Sequence, residues 1–116
     1  MRELSGEQVL LRIFIGESDK LEGKPLYHAL VEMFKKEGLS GATVLRGILG
    51  FGAGSHLHAA NILRLSQDLP IIIEAVDSPE NIERILPKVQ QVIGNGLITT
   101  EKVRVLRYGA KKKTDI

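Results

Sequence analysis

Residues 9–15 read VLLRIFI, a short apolar run that Gly16 closes. Its β-branched and aromatic side chains predict a strand in the middle of a sheet. A second run, IIIEAV at residues 71–76, has the same character and is entered through Pro70. We interpret the first run as a central strand and the second as another strand of the same fold.

The segment after the first strand predicts a loop and then a helix. Residues 17–24 are polar, and Pro25 suits the first position of a helix. From Leu26 onward, apolar residues recur at intervals of three and four, which gives the helix one apolar face. Gly38 suits the position just past a helix end, so we expect the helix to end at about Glu37.

A second helix is predicted after the strand at residues 71–76. Ser78 is a favourable N-cap residue, and Pro79 fits the first helical position. Apolar residues at helical spacing continue to Ile93. Pro87 lies inside this pattern and removes one backbone donor, so we expect a kink or a break there.

The remaining segments predict two more strands and a long loop. Residues 41–49 predict the second strand, and residues 50–55 a glycine-rich loop. Residues 56–66 fit either a short helix or one arm of a long hairpin. After a turn, residues 97–108 predict the last strand. Its expected apolar contacts are Val103, Val105 and Leu106.

The order of elements is βαββαβ, which predicts an α+β, ferredoxin-like fold. In this fold two helices cover one face of a four-stranded antiparallel sheet. The other face has no helix to cover it, although most of the strands are apolar along much of their length. Self-association is the simplest way to bury that face.

The composition predicts one domain over residues 1–116, since 43% of the residues are hydrophobic and 26% are charged. Residues from about 109 to 116 are expected to form a flexible basic tail. The tail contains Lys111, Lys112 and Lys113.

Several classes of protein are excluded or disfavoured by composition. The chain has no cysteine, which excludes disulfides and thiolate metal sites. No apolar run approaches the ~20 residues needed to cross a bilayer, and the N-terminus has no signal-peptide pattern, so we expect a cytoplasmic protein. A net charge of +2, with 4% aromatic residues and no Trp, argues against a nucleic-acid partner.

One loop contains the candidates for catalysis. Ser55 lies beside His56 and near His58, but the loop lacks the strand–turn–helix elbow that fixes a nucleophile. We therefore expect no enzyme activity. The two histidines lie on the same side of an extended segment, but zinc requires a third or fourth ligand. We therefore expect no metal site.

An acidic group follows the first strand. Glu17, Ser18 and Asp19 could form an acidic site. Acid–base catalysis by carboxylates requires side chains that face one another, which spacing alone does not establish. We favour a polar loop with local hydrogen bonds between side chains and backbone.

Glycines mark two predicted turns at strand ends. They are Gly47, Gly50, Gly52 and Gly54 in the first turn, and Gly94 and Gly96 in the second. Glycine lets backbone N–H groups approach an anion closely, but it also occurs in turns for geometric reasons alone. Both interpretations stay open. Neither segment matches a Walker A loop or a dinucleotide fingerprint.

Five segments resemble, in the same order, those of the PII signalling proteins. They read EGLSGATV at residues 37–44, GFG at 50–52, DLP at 68–70, GNG at 94–96 and LRYG at 106–109. The resemblance extends over nearly the whole chain, and the joint order is more specific than any one motif.

Three segments are more similar still to the PII-like family of bacteria and archaea that was long classified as a domain of unknown function. They read IGESD at residues 15–19, GKPLY at 23–27, and TVLRG at 43–47 followed by the same GFG.

The resemblance implies a regulatory homotrimer that binds ADP, ATP or AMP in clefts between subunits. Nucleotide binding would reorder a long loop that docks on a target protein. The implied ligand-binding residues are Gly41, Thr43, Gly50, Phe51, Gly52, Gly94, Asn95, Gly96 and Arg107. In this assignment Gly41 and Thr43 line the adenine side, residues 94–96 contact phosphates, and Arg107 adds a charge from an adjacent subunit.

The chain departs from the PII pattern at charged positions. Leu97 stands where PII proteins have a phosphate-binding lysine, a loss of about 1.5–3 kcal/mol of phosphate binding. Val105 stands in place of a second arginine, and Arg104 is one residue away, on the other face of the strand. These departures favour ADP, AMP or another small anionic ligand as much as ATP, and they argue against a dependence on magnesium.

Two other functions stay open at this point. The first is an interaction module that has lost nucleotide binding and docks on a protein or membrane partner, which Leu97 favours. The second is a small enzyme that uses His56 or His58. A nucleotide-dependent melting temperature distinguishes the regulatory trimer from the interaction module. The enzyme would require turnover that is lost in a His56→Ala, His58→Ala double variant.

Overall fold

The computed structural model describes residues 3–52, the backbone of residues 58–59, and residues 68–109. In chain order the elements are β1 (Gly6–Gly16), β2 (Lys20–Leu21), β3 (Lys24–Pro25), α1 (Leu26–Lys36), β4 (Thr43–Arg46), β5 (Leu49–Gly50), β6 (His58–Ala59), β7 (Pro70–Asp77), α2 (Pro79–Val92) and β8 (Leu97–Val105).

Four of the strands form one antiparallel sheet in the order β4-β7-β1-β8. The apolar run at residues 9–15 is therefore central, as predicted, and β7 and β8 pair with its two sides. With α1 after β1 and α2 after β7, this arrangement confirms the predicted ferredoxin-like fold.

The core lies between the sheet and both helices. Side chains alternate between the two faces of a strand, so every second residue of β1 and β7 points to the same side. The buried residues on that side are Leu11, Ile13, Ile15, Ile71, Ile73 and Ala75. They pack with buried residues of the helices, namely Leu26, Leu30, Phe34, Ile82, Ile85 and Val89. Both helices therefore cover one face, as predicted.

Helix α1 ends in a Schellman motif at the predicted glycine. Gly38 has a φ of +82°, which favours glycine. The Leu39 N–H donates to the Phe34 carbonyl at 3.0 Å, and the Gly38 N–H donates to the Lys35 carbonyl at 3.2 Å. Pro25 is the N-cap rather than the first helical residue, one position from the prediction.

Helix α2 begins as predicted but is not interrupted. The Ser78 hydroxyl accepts a hydrogen bond from the Asn81 N–H at 3.2 Å. The helix then runs through Pro87 to Val92, so the expected break is wrong. Val89 follows Pro87 and is fully buried, so core packing holds the helix together across the missing donor. Within the described residues, neither helix has the length and apolar content that crossing a bilayer demands.

Two strand predictions and one loop prediction need correction. The strand expected at residues 41–49 is two short strands, β4 and β5, because the ladder of β4 reaches Pro70, which has no N–H to donate. Part of the loop expected at residues 17–24 is the hairpin of β2 and β3. Strand β8 stops at Val105 because its partner β1 begins at Gly6, and Leu106 is 81% exposed rather than an apolar contact.

The long loop after β5 begins as a hairpin arm. Strand β6 pairs with β5, which favours the hairpin over the short helix for residues 58–59. The rest of residues 56–66 lies outside the described residues, as do Ser55 and the whole of the tail after residue 109.

Asp77 is a fully buried carboxylate that joins three parts of the chain. It accepts hydrogen bonds from the Ser40 N–H at 2.8 Å, the Ser78 N–H at 2.7 Å and the Asn81 side-chain amide at 2.8 Å. A buried carboxylate needs such donors to offset its lost hydration. Asp77 therefore fixes the start of α2 against the segment that enters β4.

Glu37 links the two helices at the surface. Lys88 Nζ lies 2.6 Å from one carboxylate oxygen of Glu37, and Arg84 Nη1 lies 2.9 Å from the other. The hydrogen bond from Lys88, with a further contribution from Arg84, holds the pKa of the Glu37 carboxyl below its usual value of 4.5.

We predict that Glu37→Gln lowers the melting temperature at neutral pH and has a smaller effect in acid. A carboxyl whose pKa is lower in the folded state stabilises the fold above its ordinary pKa, and this contribution is lost as pH falls through 4.5 and then through the lowered value. Thermal unfolding at about pH 7 and about pH 3 measures the difference. Glu83→Gln, at an exposed position of α2, is the control, and an equal effect of Glu37→Gln at both pH values contradicts the prediction.

Candidate functional site

The sheet face opposite the helices has an apolar row across all four strands. The register aligns Leu45 with Ile72, Ile72 with Phe14, and Phe14 with Leu97. Leu45 is 46% exposed and Leu97 is 54% exposed. This face, here called the open face, therefore exposes apolar side chains in the single chain, as the sequence predicts.

A charged group crosses the open face beside that row. Arg12 Nε donates to a Glu74 carboxylate oxygen at 2.8 Å, and Arg12 Nη1 donates to Glu101 at 3.3 Å. One arginine on β1 is thus held between carboxylates on both neighbouring strands. Since two carboxylates face one guanidinium, the group carries a net negative charge.

A cleft of about 380 Å³ lies at one end of the open face. Its floor is largely apolar and includes Leu10 and Val76. One wall consists of residues 40–43, which lead into β4. The other is formed by Val105, Arg107 and Tyr108, at the end of β8 and just beyond it. An apolar floor with a few polar groups on the walls is typical of a small-molecule site.

The two walls come from opposite edges of the sheet. Because β4 and β8 are the outer strands, the chain that leaves β8 must cross over β1 and β7 to reach the other wall. The Tyr108 hydroxyl donates a hydrogen bond to the Ser40 carbonyl and so joins the walls. We call residues 106–109 the strap.

The structure brings together three of the residues predicted to bind the ligand. Gly41, Thr43 and Arg107 all line the cleft, although they are far apart in the sequence. The backbone carbonyl of Gly41's neighbour Ser40 is also the acceptor of the Tyr108 hydrogen bond. These residues form one wall and the strap of the same cavity.

The other predicted residues lie at the far end of the sheet. The turn at residues 94–96 precedes Leu97, which pairs with Phe14, whereas Val105 at the cleft pairs with Gly6. Those eight positions along β1 correspond to ~26 Å at about 3.3 Å per residue. Residues 50–52 are near Pro70, also at the far end, and Phe51 is 77% exposed. One chain therefore does not bring all the predicted residues to one place.

The structure shows at which positions packing within the chain requires a glycine and at which it does not. A Cβ on Gly96 would lie 2.8 Å from the Phe14 carbonyl oxygen, and one on Gly50 would lie 2.8 Å from the Pro70 ring. A Cβ on Gly41 or Gly94 would meet nothing within 4 Å. Turn packing therefore explains Gly96 and Gly50 but not Gly41 and Gly94.

The structure locates the two positions, Leu97 and Val105, at which this chain lacks a charge of the PII pattern. Val105 lines the cleft, and Arg104 points to the other face of β8, as the sequence predicts. Leu97 belongs to the apolar row of the open face. Glu74, Ser40 and Tyr108 also line the cleft, although they were not predicted to do so. Glu74 could have been found, because it is the single charge in the apolar run at residues 71–76.

The acidic group after β1 is a polar turn. The Asp19 carboxylate accepts a hydrogen bond from the Gly16 N–H at 3.0 Å, and the Asp68 carboxylate accepts one from the Ser18 N–H at 2.7 Å. The predicted local bonding is therefore confirmed. Among residues 3–52 and 68–109, no three His, Asp or Glu side chains converge as a metal site. His56 and the side chain of His58 lie outside the described residues.

Comparison with known sequences identifies relatives over most of the chain. Residues 8–105 match the family model DUF190, described as an uncharacterised ACR. A UPF0166 protein of Methanocaldococcus jannaschii is 49% identical over 90 residues, which cover 77% of this chain and 82% of that protein. A UPF0166 protein of Aquifex aeolicus is 42% identical over 97 residues, covering 84% of this chain and 91% of that one.

Comparison with solved structures identifies the same fold in signalling proteins. A crystal structure described as a PII-like signalling protein of Thermus thermophilus aligns with a TM-score of 0.63 and 24% identity, covering 91% of this chain and 94% of that one. CPII of Thiomonas intermedia, a nitrogen regulatory PII-like protein bound to ADP, AMP and bicarbonate, aligns with a TM-score of 0.61 and 16% identity, covering 90% and 91%. These likenesses support the ferredoxin-like fold.

We predict that Gly96→Ala destabilises the protein and Gly94→Ala does not. The new methyl group at position 96 would collide with backbone of β1, at a cost of about 1–3 kcal/mol. At position 94 it enters open space, and we expect a change within about 0.5 kcal/mol. Urea unfolding of both variants measures this, and equal stabilities would contradict the prediction.

Proposed function

The chain belongs to the DUF190 family and has the fold of PII-like signalling proteins, and from this we propose that it is a regulatory protein that binds an adenine nucleotide and acts as a homotrimer. The observation that carries the proposal is the cleft in which Gly41, Thr43 and Arg107 converge. The CPII structures, which contain ADP and AMP, support the choice of ligand.

The chemistry of the cleft suits a nucleotide better than a purely apolar molecule. Leu10 and Val76 offer an apolar surface on which a base can lie, and Thr43 offers a hydroxyl. Arg107 supplies a positive charge for a phosphate oxygen. Open space beside Gly41 allows close approach of a ligand to the backbone. We propose ADP or AMP as the ligand ahead of ATP, because Leu97 and Val105 lack the charge that a triphosphate would use.

The separation of the predicted residues supports a site shared between subunits. The cleft and the turn at residues 94–96 are ~26 Å apart along β1, farther than one nucleotide spans. A neighbouring copy could bring its turn to this cleft. The apolar row of the open face offers a surface for that association, since Leu45 and Leu97 are exposed in the single chain. A closed trimer would bury it.

We also propose that the ligand acts on the loop of residues 52–68. The loop's ends meet at the same end of β1 as the turn at residues 94–96, since Gly50 packs on Pro70 and Asp68 bonds the Ser18 N–H. A phosphate on that turn would lie beside the loop's ends, and the loop would then dock on a target protein. Hydrogen exchange across the loop with and without ADP tests the coupling, and equal exchange contradicts it.

A second candidate function is that of an interaction module without a nucleotide. Ile48, Leu49 and Phe51 are exposed apolar side chains beside the loop, and such a group is typical of a docking surface. Under this alternative, no nucleotide changes the melting temperature, while a protein partner does. We propose that the protein is not an enzyme.

We predict that ADP or AMP raises the melting temperature and that Arg107→Ala removes most of the effect. Loss of a charge-assisted contact, about 1.5–3 kcal/mol, weakens binding roughly 10- to 150-fold. Thermal unfolding measures the melting temperature, and calorimetric titration measures the affinity. Both use ADP, AMP and ATP, each with and without magnesium. Arg104→Ala is the matched control, because Arg104 is on the opposite face of the same segment. Equal binding by both variants contradicts the role of Arg107.

We predict that Leu45→Glu converts the trimer to monomers. The side chain is exposed in the single chain, so the substitution leaves the monomer folded but sets three carboxylates in an apolar interface. Light scattering on a sizing column measures the mass, which we expect to fall from three times 12.8 kDa to 12.8 kDa. Ile48→Glu, outside the apolar row, is the control. A wild-type protein that is already monomeric contradicts the proposed assembly.

A further inference from the structure

The strap extends beyond the end of regular structure. The ladder between β8 and β1 ends at the pair of Val105 and Gly6, so residues 106–109 have no strand beside them to fix their path. Leu106 is highly exposed and Arg107 is exposed as well. The hydroxyl of Tyr108, bonded to the Ser40 carbonyl, is the contact that ties this segment to the opposite wall of the cleft.

The acceptor of that hydrogen bond is itself held firmly. The Ser40 N–H donates to the buried carboxylate of Asp77 at 2.8 Å, and the Ser40 hydroxyl donates to the Val76 carbonyl at 2.6 Å. Asp77 is fully buried and also bonds the first turn of α2. Tyr108 is therefore fastened to a point that the core of the domain fixes.

We propose that Tyr108 is a positioning residue whose hydrogen bond to Ser40 holds the strap closed and keeps Arg107 over the cleft. The part that concerns ligand binding rests on the proposed function. Arg107 directly precedes Tyr108, so the position of its backbone is set by this bond. A ligand in the cleft lies between the floor and the strap, and it leaves when the strap opens.

The first experiment compares Tyr108→Phe with the wild type by 15N relaxation of the backbone amides. Phenylalanine keeps the ring but removes the donor, so the strap opens more often and the order parameters of the amides of residues 106–109 fall. Tyr27→Phe removes the same hydroxyl from α1, on the other side of the sheet, and is the matched control. Unchanged order parameters at residues 106–109 in Tyr108→Phe overturn the proposal.

The second experiment measures ADP binding in a double-mutant cycle of Tyr108→Phe and Arg107→Ala. We expect Tyr108→Phe to speed ADP dissociation about 2- to 10-fold, the effect of one neutral hydrogen bond. Because Tyr108 acts through Arg107, the substitution has little further effect in the Arg107→Ala background. Two results overturn the positioning role. One is that Tyr108→Phe speeds ADP dissociation equally in the wild-type and Arg107→Ala backgrounds. The other is that ADP dissociates from Tyr108→Phe as slowly as from Tyr27→Phe.

The two experiments separate this proposal from the proposed function. A wild-type protein that binds neither ADP nor AMP contradicts nucleotide binding, and with it the role of Arg107 toward a nucleotide. The 15N relaxation of residues 106–109 needs no ligand, and it then decides by itself whether Tyr108 holds the strap closed.

Discussion

The pairing of β1 with β7 is the interaction on which the other features depend. It aligns Ile13 with Ile73 toward the helices and Phe14 with Ile72 toward the open face. Because side chains alternate along a strand, a slip of one residue would exchange the two faces and expose the core. This register fixes where the helices pack, which side chains the open face exposes, and on which side the cleft forms.

The cleft is a product of the order of the strands rather than of any local motif. The first wall enters at one edge of the sheet and the strap leaves from the other, and only the antiparallel order β4-β7-β1-β8 lets them meet over the centre. Asp77 and Ser40 make the first wall rigid through buried hydrogen bonds. The strap is joined to that wall by the hydrogen bond from Tyr108. The site therefore joins a wall fixed by the core to a segment that extends beyond the last strand pair.

Most of the fold could be predicted from the sequence because apolar periodicity and turn residues act locally. Gly38 and Ser78 end and begin helices where expected. Pro87 misled the prediction, since packing of α2 on the core offsets the loss of one donor. In the site, Gly41 and Arg107 came from the family resemblance. The hydrogen bond between Tyr108 and Ser40 could not be predicted, because the sequence does not show which distant carbonyl lies beside a given hydroxyl.

The contact between Gly50 and Pro70 has a consequence for how such proteins diversify. It closes the sheet beneath the loop of residues 52–68, and Asp68 adds a second tie to the turn after β1. Because both ends of the segment are held by the sheet, a change in its length alters mainly the entropy of closing the loop, which grows slowly with the number of residues. The same sheet can therefore carry segments of different length between Gly52 and Asp68.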